Sequence, residues 1–332
     1  MYLRFFYWFC FVFLLVSIYQ KIEKDRLSSP QEIVEVPFAH AQNLDGDGLI
    51  VAVLDEGFDH EHTSLTENFG PYRYNAHNKT RDVEEPLVYE NGRYVFESHG
   101  THVSGIIANL APRIKIIPIK VEGFGGDQAF VQALRIATSS PAHIVNISMR
   151  LSCSGHKISP NVRDALIQLA NAGKLIVVSA GNEGAPLMQR AYTRSLAELA
   201  LDPLMAGRLL LAGASSIKNG TEDLADFSNY PGQNASFDAD TYFITAPGDQ
   251  ITSTVTGGNF GKKSGTSMAA PMVVGAACLV KQAFPHLSAE ALAHLLLTSA
   301  RKTSLNGEVL SSASFGAGIV NLKAALEEGK IH

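Results

Sequence analysis

Apolar positions cluster in runs of two kinds along the chain. LIVAVLD (49–55), RIKIIPIKV (113–121), HIVNISM (143–149), KLIVVSA (174–180) and RLLLAGAS (208–215) are short, continuous and bounded by polar or glycine-bearing residues. Runs of that length, rich in β-branched residues, predict strands buried on both faces. HVSGIIANL (102–110), DQAFVQALRIATS (127–139) and NVRDALIQLANAG (161–173) instead repeat their apolar residues at helical spacing,. Strands and helices alternate. That order predicts an α/β fold: a central, mostly parallel sheet covered by helices on both faces, in three layers. In such sheets ligands and reactive groups gather at the carboxyl ends of the strands.

One helix differs. From Ala269, AAPMVVGAACLVKQAF is apolar nearly all round, which predicts a buried helix with Pro271 in its first turn, where the missing N–H costs nothing. Ser267 then stands at or beside a helix N-terminus. It reads either as a capping serine or as a nucleophile, since that end of a helix favours developing negative charge. The segment 188–207, MQRAYTRSLAELALDPLMAG, also has helical spacing and reads as a helical insertion near the cleft,.

The chain start stands apart. Phe5 to Tyr19 carry no charge and follow Arg4, an order typical of an export signal or anchor. No clear small-residue cleavage site follows, so an uncleaved membrane anchor is favoured over a cleaved signal. The chain therefore divides into residues 1–26 as signal or anchor, a polar linker at 27–44 containing Pro30 and Pro37, and one α/β domain at 45–332,. The location that follows is membrane-anchored or secreted, with that domain outside the cytoplasm.

Composition narrows the function. The chain has 332 residues, 46% of them hydrophobic and 18% charged, with net charge −5. That is globular rather than disordered, and no basic patch invites nucleic acid. Three scattered cysteines, Cys10, Cys153 and Cys278, form no disulfide framework or zinc site,. Asp59-His60-Glu61-His62 lacks a third ligand at metal spacing, and the 45–48 stretch, DGDG, lacks the later glutamate of a calcium loop,. The sequons at Asn78, Asn219 and Asn234 matter only in a eukaryotic secretory pathway,.

Three segments carry the candidate chemistry: VAVLDEG (51–57), SHGTHVSG (98–105) and SGTSMAAP (264–271). A serine hydroxyl needs a base to take its proton, and an imidazole oriented by a carboxylate suits the task at neutral pH. With VSAGNEG (178–184) and GAGIVNLKAAL (316–326), these segments make the chain resemble the subtilisin-like serine proteases, or subtilases,. The resemblance implies a serine endopeptidase with Asp55, His99 and Ser267 as the triad. The side chain of Asn182 and the backbone N–H of Ser267 would be the oxyanion donors. His102 would be a packed histidine rather than the base. Losing one oxyanion donor costs about 3 kcal/mol of barrier, a size established on a subtilisin. Ser148, Arg150 and Gly181 are the candidate substrate-binding residues. Protein or peptide is the implied substrate. No cofactor is required and no metal site is predicted, although weaker calcium sites are left open.

Four departures from the family pattern carry expectations. Glu56 follows Asp55 where a small hydroxyl residue or an aspartate is common, and it should raise the pKa of His99. Arg150 and Leu151 replace a glycine pair. Arg150 either narrows the specificity pocket, pairs with an acidic substrate side chain, or lies solvated at the rim. The segment after the HGTH stretch is too short for the calcium loop many subtilases hold there. The stretch before the first strand is too short for a folding propeptide, so the chain folds unaided or a separate folding or inhibitory partner acts. Two rivals stand beside the endopeptidase: a membrane-anchored pseudoprotease that binds peptides or a partner without cleavage, and an esterase. The absence of a G-x-S-x-G elbow argues against the usual esterase fold.

Overall fold

A computed structural model describes residues 29–90, 92–121, 126–218, 220–233 and 238–330. The apolar segment at 5–19 and the sequons at Asn219 and Asn234 lie outside the described residues. Among the described residues, no helix is long and apolar enough to cross a membrane.

Five strands predicted from apolar runs form the body of the sheet: β1 (Ile50–Asp55), β5 (Lys115–Lys120), β6 (Ile144–Ile147), β9 (Leu175–Ser179) and β10 (Leu209–Lys218). The remaining strands are β2 (Tyr74–Asn75), β3 (Leu87–Glu90), β4 (Arg93–Phe96), β7 (Cys153–Ser154), β8 (Lys157–Ile158), β11 (Thr221–Leu224), β12 (Phe243–Pro247), β13 (Ile251–Val255) and β14 (Asn259–Lys263). The central sheet has the order β11-β10-β9-β6-β1-β5-β2, with β12 also on β10. All its pairs are parallel except β10 with β11. The other strands form three two-stranded hairpins.

The helices are α1 (Pro30–Ile33), α2 (Val36–His40), α3 (His99–Leu110), α4 (Gly126–Ser139), α5 (Pro160–Asn171), α6 (Ala191–Ala200), α7 (Thr266–Ala283), α8 (Ala289–Thr298), α9 (Ser312–Phe315) and α10 (Leu322–Glu328). Alternate residues of each strand feed two separate cores. Val51, Val53 and Val177 face α3, α7, α8 and α10, whereas Ala52, Leu54, Ile176 and Val178 face α4, α5 and α6. The three-layer expectation therefore holds, and the uniformly apolar strands follow from having a helix layer on each side. Helices α3 and α7 pack closely because Gly275 has no side chain: a Cβ there would lie 2.7 Å from that of Leu110.

Two local expectations need correction. Residues 30–40, read as linker, are the short helices α1 and α2. Val34, Val36 and Ala39 join the core, and the N–H of Leu322 in α10 donates to Val34 O at 3.1 Å. Their prolines sit in first turns, where proline starts a helix rather than preventing one. Helix α7 begins at Thr266, not Ala269, so Pro271 is its sixth residue and lies inside the helix. The carbonyl four residues earlier, that of Ser267, loses its helical donor. Ser148 Oγ supplies the replacement at 2.9 Å.

Candidate active site

Asp55 is the last residue of β1 and is fully buried. His99 is the first residue of α3. The two meet because α3 presses against the end of β1: a Cβ on Gly100 would lie 2.1 Å from Gly57 O and 2.9 Å from the Asp55 Cβ. Ser98, just before α3, adopts the left-handed conformation at φ 56°, which is unfavourable for a residue with a side chain. Its hydroxyl holds it there, donating to Thr256 Oγ1 at 2.9 Å and accepting from Thr256 N–H at 3.1 Å. His99 Nδ1 then donates to Asp55 Oδ1 at 2.8 Å. The N–H of Glu56 donates to the same oxygen at 2.9 Å. With Nδ1 carrying the proton, Nε2 is the basic nitrogen, and no hydrogen bond occupies it among the described residues,.

Burial disfavours a charged His99, but the Asp55 carboxylate outweighs it and holds the pKa above the ordinary histidine value, with Glu56 adding to the rise,. Glu56 is itself raised, first by burial and then by Asp55. His102 behaves differently. Fully buried, its Nε2 lies 3.0 Å from Ile251 O and 3.2 Å from Gly261 O. Burial pushes its pKa down to about 4.

Ser267 is the second residue of α7. Gly265 is the cap residue and has no side chain to bond the first turn, so Ser267 does not serve as a cap. Its hydroxyl donates to Ser148 O at 3.0 Å while Ser148 Oγ donates back to Ser267 O. No hydrogen bond joins Ser267 to His99 among the described residues. Ser148, a candidate for substrate binding, has its side chain buried under α7, where it also accepts from Asn146 Nδ2 at 2.9 Å.

Asn182 follows β9. Its Oδ1 accepts from Thr266 N–H at 2.8 Å and from Thr266 Oγ1 at 2.9 Å. A backbone N–H can only donate, so the carbonyl end of the amide must face it. The Nδ2 end is thereby turned outward with its hydrogens unspent. Thr266 Oγ1 also accepts from Gly181 N–H at 3.1 Å. Gly181 needs its glycine: at φ 102° a Cβ would lie 2.5 Å from Asn229 Nδ2,. Arg150 lies past the end of β6 with its guanidinium 4.1 Å from the ring centroid of Tyr192 on α6. Tyr192 is fixed by Leu151 N–H, which donates to its hydroxyl at 3.0 Å. The insertion at 188–207 thus supplies the surface on which Arg150 rests.

Two neighbours of this site are not evident from the sequence. Thr266 is fully buried and splints α7 to residues 181 and 182. Glu85 is 5% exposed. It accepts from Thr101 N–H at 3.0 Å and from Thr101 Oγ1, in the first turn of α3. Its Oε2 has no hydrogen-bond partner among the described residues. Burial pushes its pKa up to about 7, helped by Asp55 and opposed by the bonds to Thr101. Among the described residues, no group of three or more His, Cys, Asp or Glu side chains is placed to hold a metal ion.

Comparison with known proteins places the chain in one family. The subtilase family model matches residues 46–318. The chain belongs to the subtilases and is a serine endopeptidase, whose substrates are proteins or peptides. It is 32% identical over 304 residues to subtilisin BL of Lederbergia lenta, covering 88% of this chain and 96% of that one. It is 28% identical over 278 residues to the major intracellular serine protease of Bacillus subtilis strain 168, covering 79% of this chain and 77% of the relative. Among solved structures it resembles fervidolysin from Fervidobacterium pennivorans, described as a keratinolytic enzyme related to subtilisin. The TM-score is 0.68 at 25% identity, over 89% of this chain but only 45% of fervidolysin. A lanthipeptide protease shares the fold with a TM-score of 0.62 at 22% identity.

Proposed function

We propose that Ser267 is the nucleophile, His99 its general base, Asp55 the group that orients His99, and Asn182 with the Ser267 N–H the oxyanion donors. The carrying observation is the 2.8 Å bond from His99 Nδ1 to a fully buried Asp55 carboxylate. It fixes the tautomer in which Nε2 is free to accept a proton and stabilises the imidazolium that results. Ser267 Oγ exchanges its bond to Ser148 O for one to His99 Nε2 and attacks the peptide carbonyl. The proton passes to Nε2, and the carbonyl oxygen becomes an oxyanion. Asn182 supports its charge through Nδ2, because Thr266 already occupies Oδ1,. His99 returns the proton to the leaving amine as the C–N bond breaks. Water then attacks the acyl group on Ser267 by the same route, releasing the carboxylate product and the free hydroxyl.

The test is reaction of the full chain with a fluorophosphonate probe beside a Ser267→Ala control. Labelling of the wild type alone is the expected result. A folded wild type that takes no label overturns the assignment.

A further inference from the structure

A cavity of about 210 Å³ is lined by Arg150, His156, Glu183, Arg190, Tyr192 and Thr193. Two of its walls run directly from the reactive centre. One leaves β6 through Ser148, whose carbonyl holds Ser267 Oγ, and reaches Arg150 two residues later. The other leaves β9 through Asn182 and continues into Glu183. A peptide carbonyl between Ser267 Oγ and Asn182 Nδ2 would lie between the two segments that go on to line this cavity.

The charge there is unbalanced. Arg150 and Arg190 are permanent cations, His156 adds a third nitrogen base, and Glu183 is the single carboxylate. Glu183 Oε2 already accepts from Asn229 Nδ2 at 2.5 Å. Among the described residues, no ion pair joins Glu183 to Arg150 or Arg190. On its other side Arg150 lines a second cavity with Glu56, and among the described residues no ion pair joins those two. The Arg150 guanidinium lies 4.1 Å from the centroid of the Tyr192 ring. Stacking occupies a guanidinium's face and leaves its N–H edge open to a carboxylate, the geometry in which arginine binds bidentately. Because Tyr192 is itself fixed by Leu151, that edge is held in place before substrate arrives,.

We propose that this cavity takes an acidic side chain, so that the enzyme cleaves after glutamate or aspartate, with Arg150 as the specificity-determining residue. The proposal rests on Ser267 being the nucleophile. A lysine or arginine side chain in the same place meets two like charges, and an apolar one makes no bond to the guanidinium edge.

Four fluorogenic peptides that differ only in the residue before the scissile bond, Glu, Gln, Lys or Phe, test it on the full chain. The expected kcat/KM for Glu exceeds that for Gln by at least about tenfold. Arg150→Ala removes most of that ratio. Arg150→Lys, which keeps the charge but not the fork, retains an intermediate ratio and guards against a folding artefact. Arg150→Glu moves the preference to Lys. Fluorophosphonate labelling of the wild type separates the ways to fail. If Ser267 is labelled and Gln or Phe is cleaved as fast as Glu, the acidic pocket is wrong and the nucleophile stands. If Ser267 is unlabelled and no peptide is cut, both are wrong.

Discussion

Ser148 Oγ donates to the carbonyl of Ser267 at 2.9 Å, and that carbonyl needs the donor because Pro271, four residues on, has no N–H to give. The hydroxyl of Ser267 in turn donates to Ser148 O. The two serines are thus clasped across the gap between β6 and the first turn of α7, and the clasp sets where Ser267 stands.

Ser148→Ala should leave the Ser267 carbonyl without a donor and destabilise the protein by about 1–3 kcal/mol, the usual cost of a stranded buried acceptor. Pro271→Ala restores the helical N–H. The double variant should therefore lose less stability than the sum of the two single losses. Thermal unfolding of the four proteins measures the coupling. Simple additivity would mean that Ser148 does not replace the missing helical bond.

As the proposed general base His99 must be neutral to accept a proton, and its pKa is raised by Asp55, with Glu56 contributing. The acidic limb of kcat/KM should accordingly lie above the pH at which an ordinary histidine titrates. Replacing Glu56 by Ser removes one negative charge, lowers the His99 pKa and should move that limb to lower pH. A pH–rate profile with an unmoved limb refutes a role for Glu56.

Glu85 folds into a site that favours its protonated form, with a pKa raised by burial to about 7 from 4.5. A carboxyl raised on folding contributes stability that is fully present below its unfolded pKa and is lost as pH rises through its folded one. The loss therefore falls between about pH 4.5 and pH 7 and amounts to at most about 3 kcal/mol. Glu85→Gln keeps an acceptor for Thr101 and cannot ionise. Its denaturation midpoint should exceed that of the wild type at pH 8 and match it more closely at pH 4. Equal midpoints at both values would show that Glu85 is not held in its protonated form.

The strands at the centre of the sheet were legible because burial on both faces leaves a continuous apolar run. Asp55 and Asn182 were legible as polar residues at the ends of such runs. The start of α7 was not. Pro271 marks a first turn by propensity, and only the Ser148 hydroxyl, over a hundred residues away, lets it sit in the second. Helices α1 and α2 looked like linker because their apolar residues are few and lie among prolines and charges. The β3–β4 hairpin escaped notice because Leu87-Val88-Tyr89 and Tyr94-Val95-Phe96 lack polar alternation. In the fold, Leu87 pairs with Phe96 and Tyr89 with Tyr94, leaving these four side chains exposed. The environment of Arg150 was half legible. The arginine stood out where glycine is usual, but its stacking partner lay 42 positions later, on a segment with no assigned role.

Thr266 joins these parts mechanically. Its backbone and hydroxyl are bonded to Asn182, its hydroxyl is bonded to Gly181, and it adjoins Ser267 in the same helical turn. A shift of α7 along its axis therefore carries Ser267 and Asn182 together. The spacing between Ser267 and Asn182 is thus set by the few bonds that a single buried threonine makes.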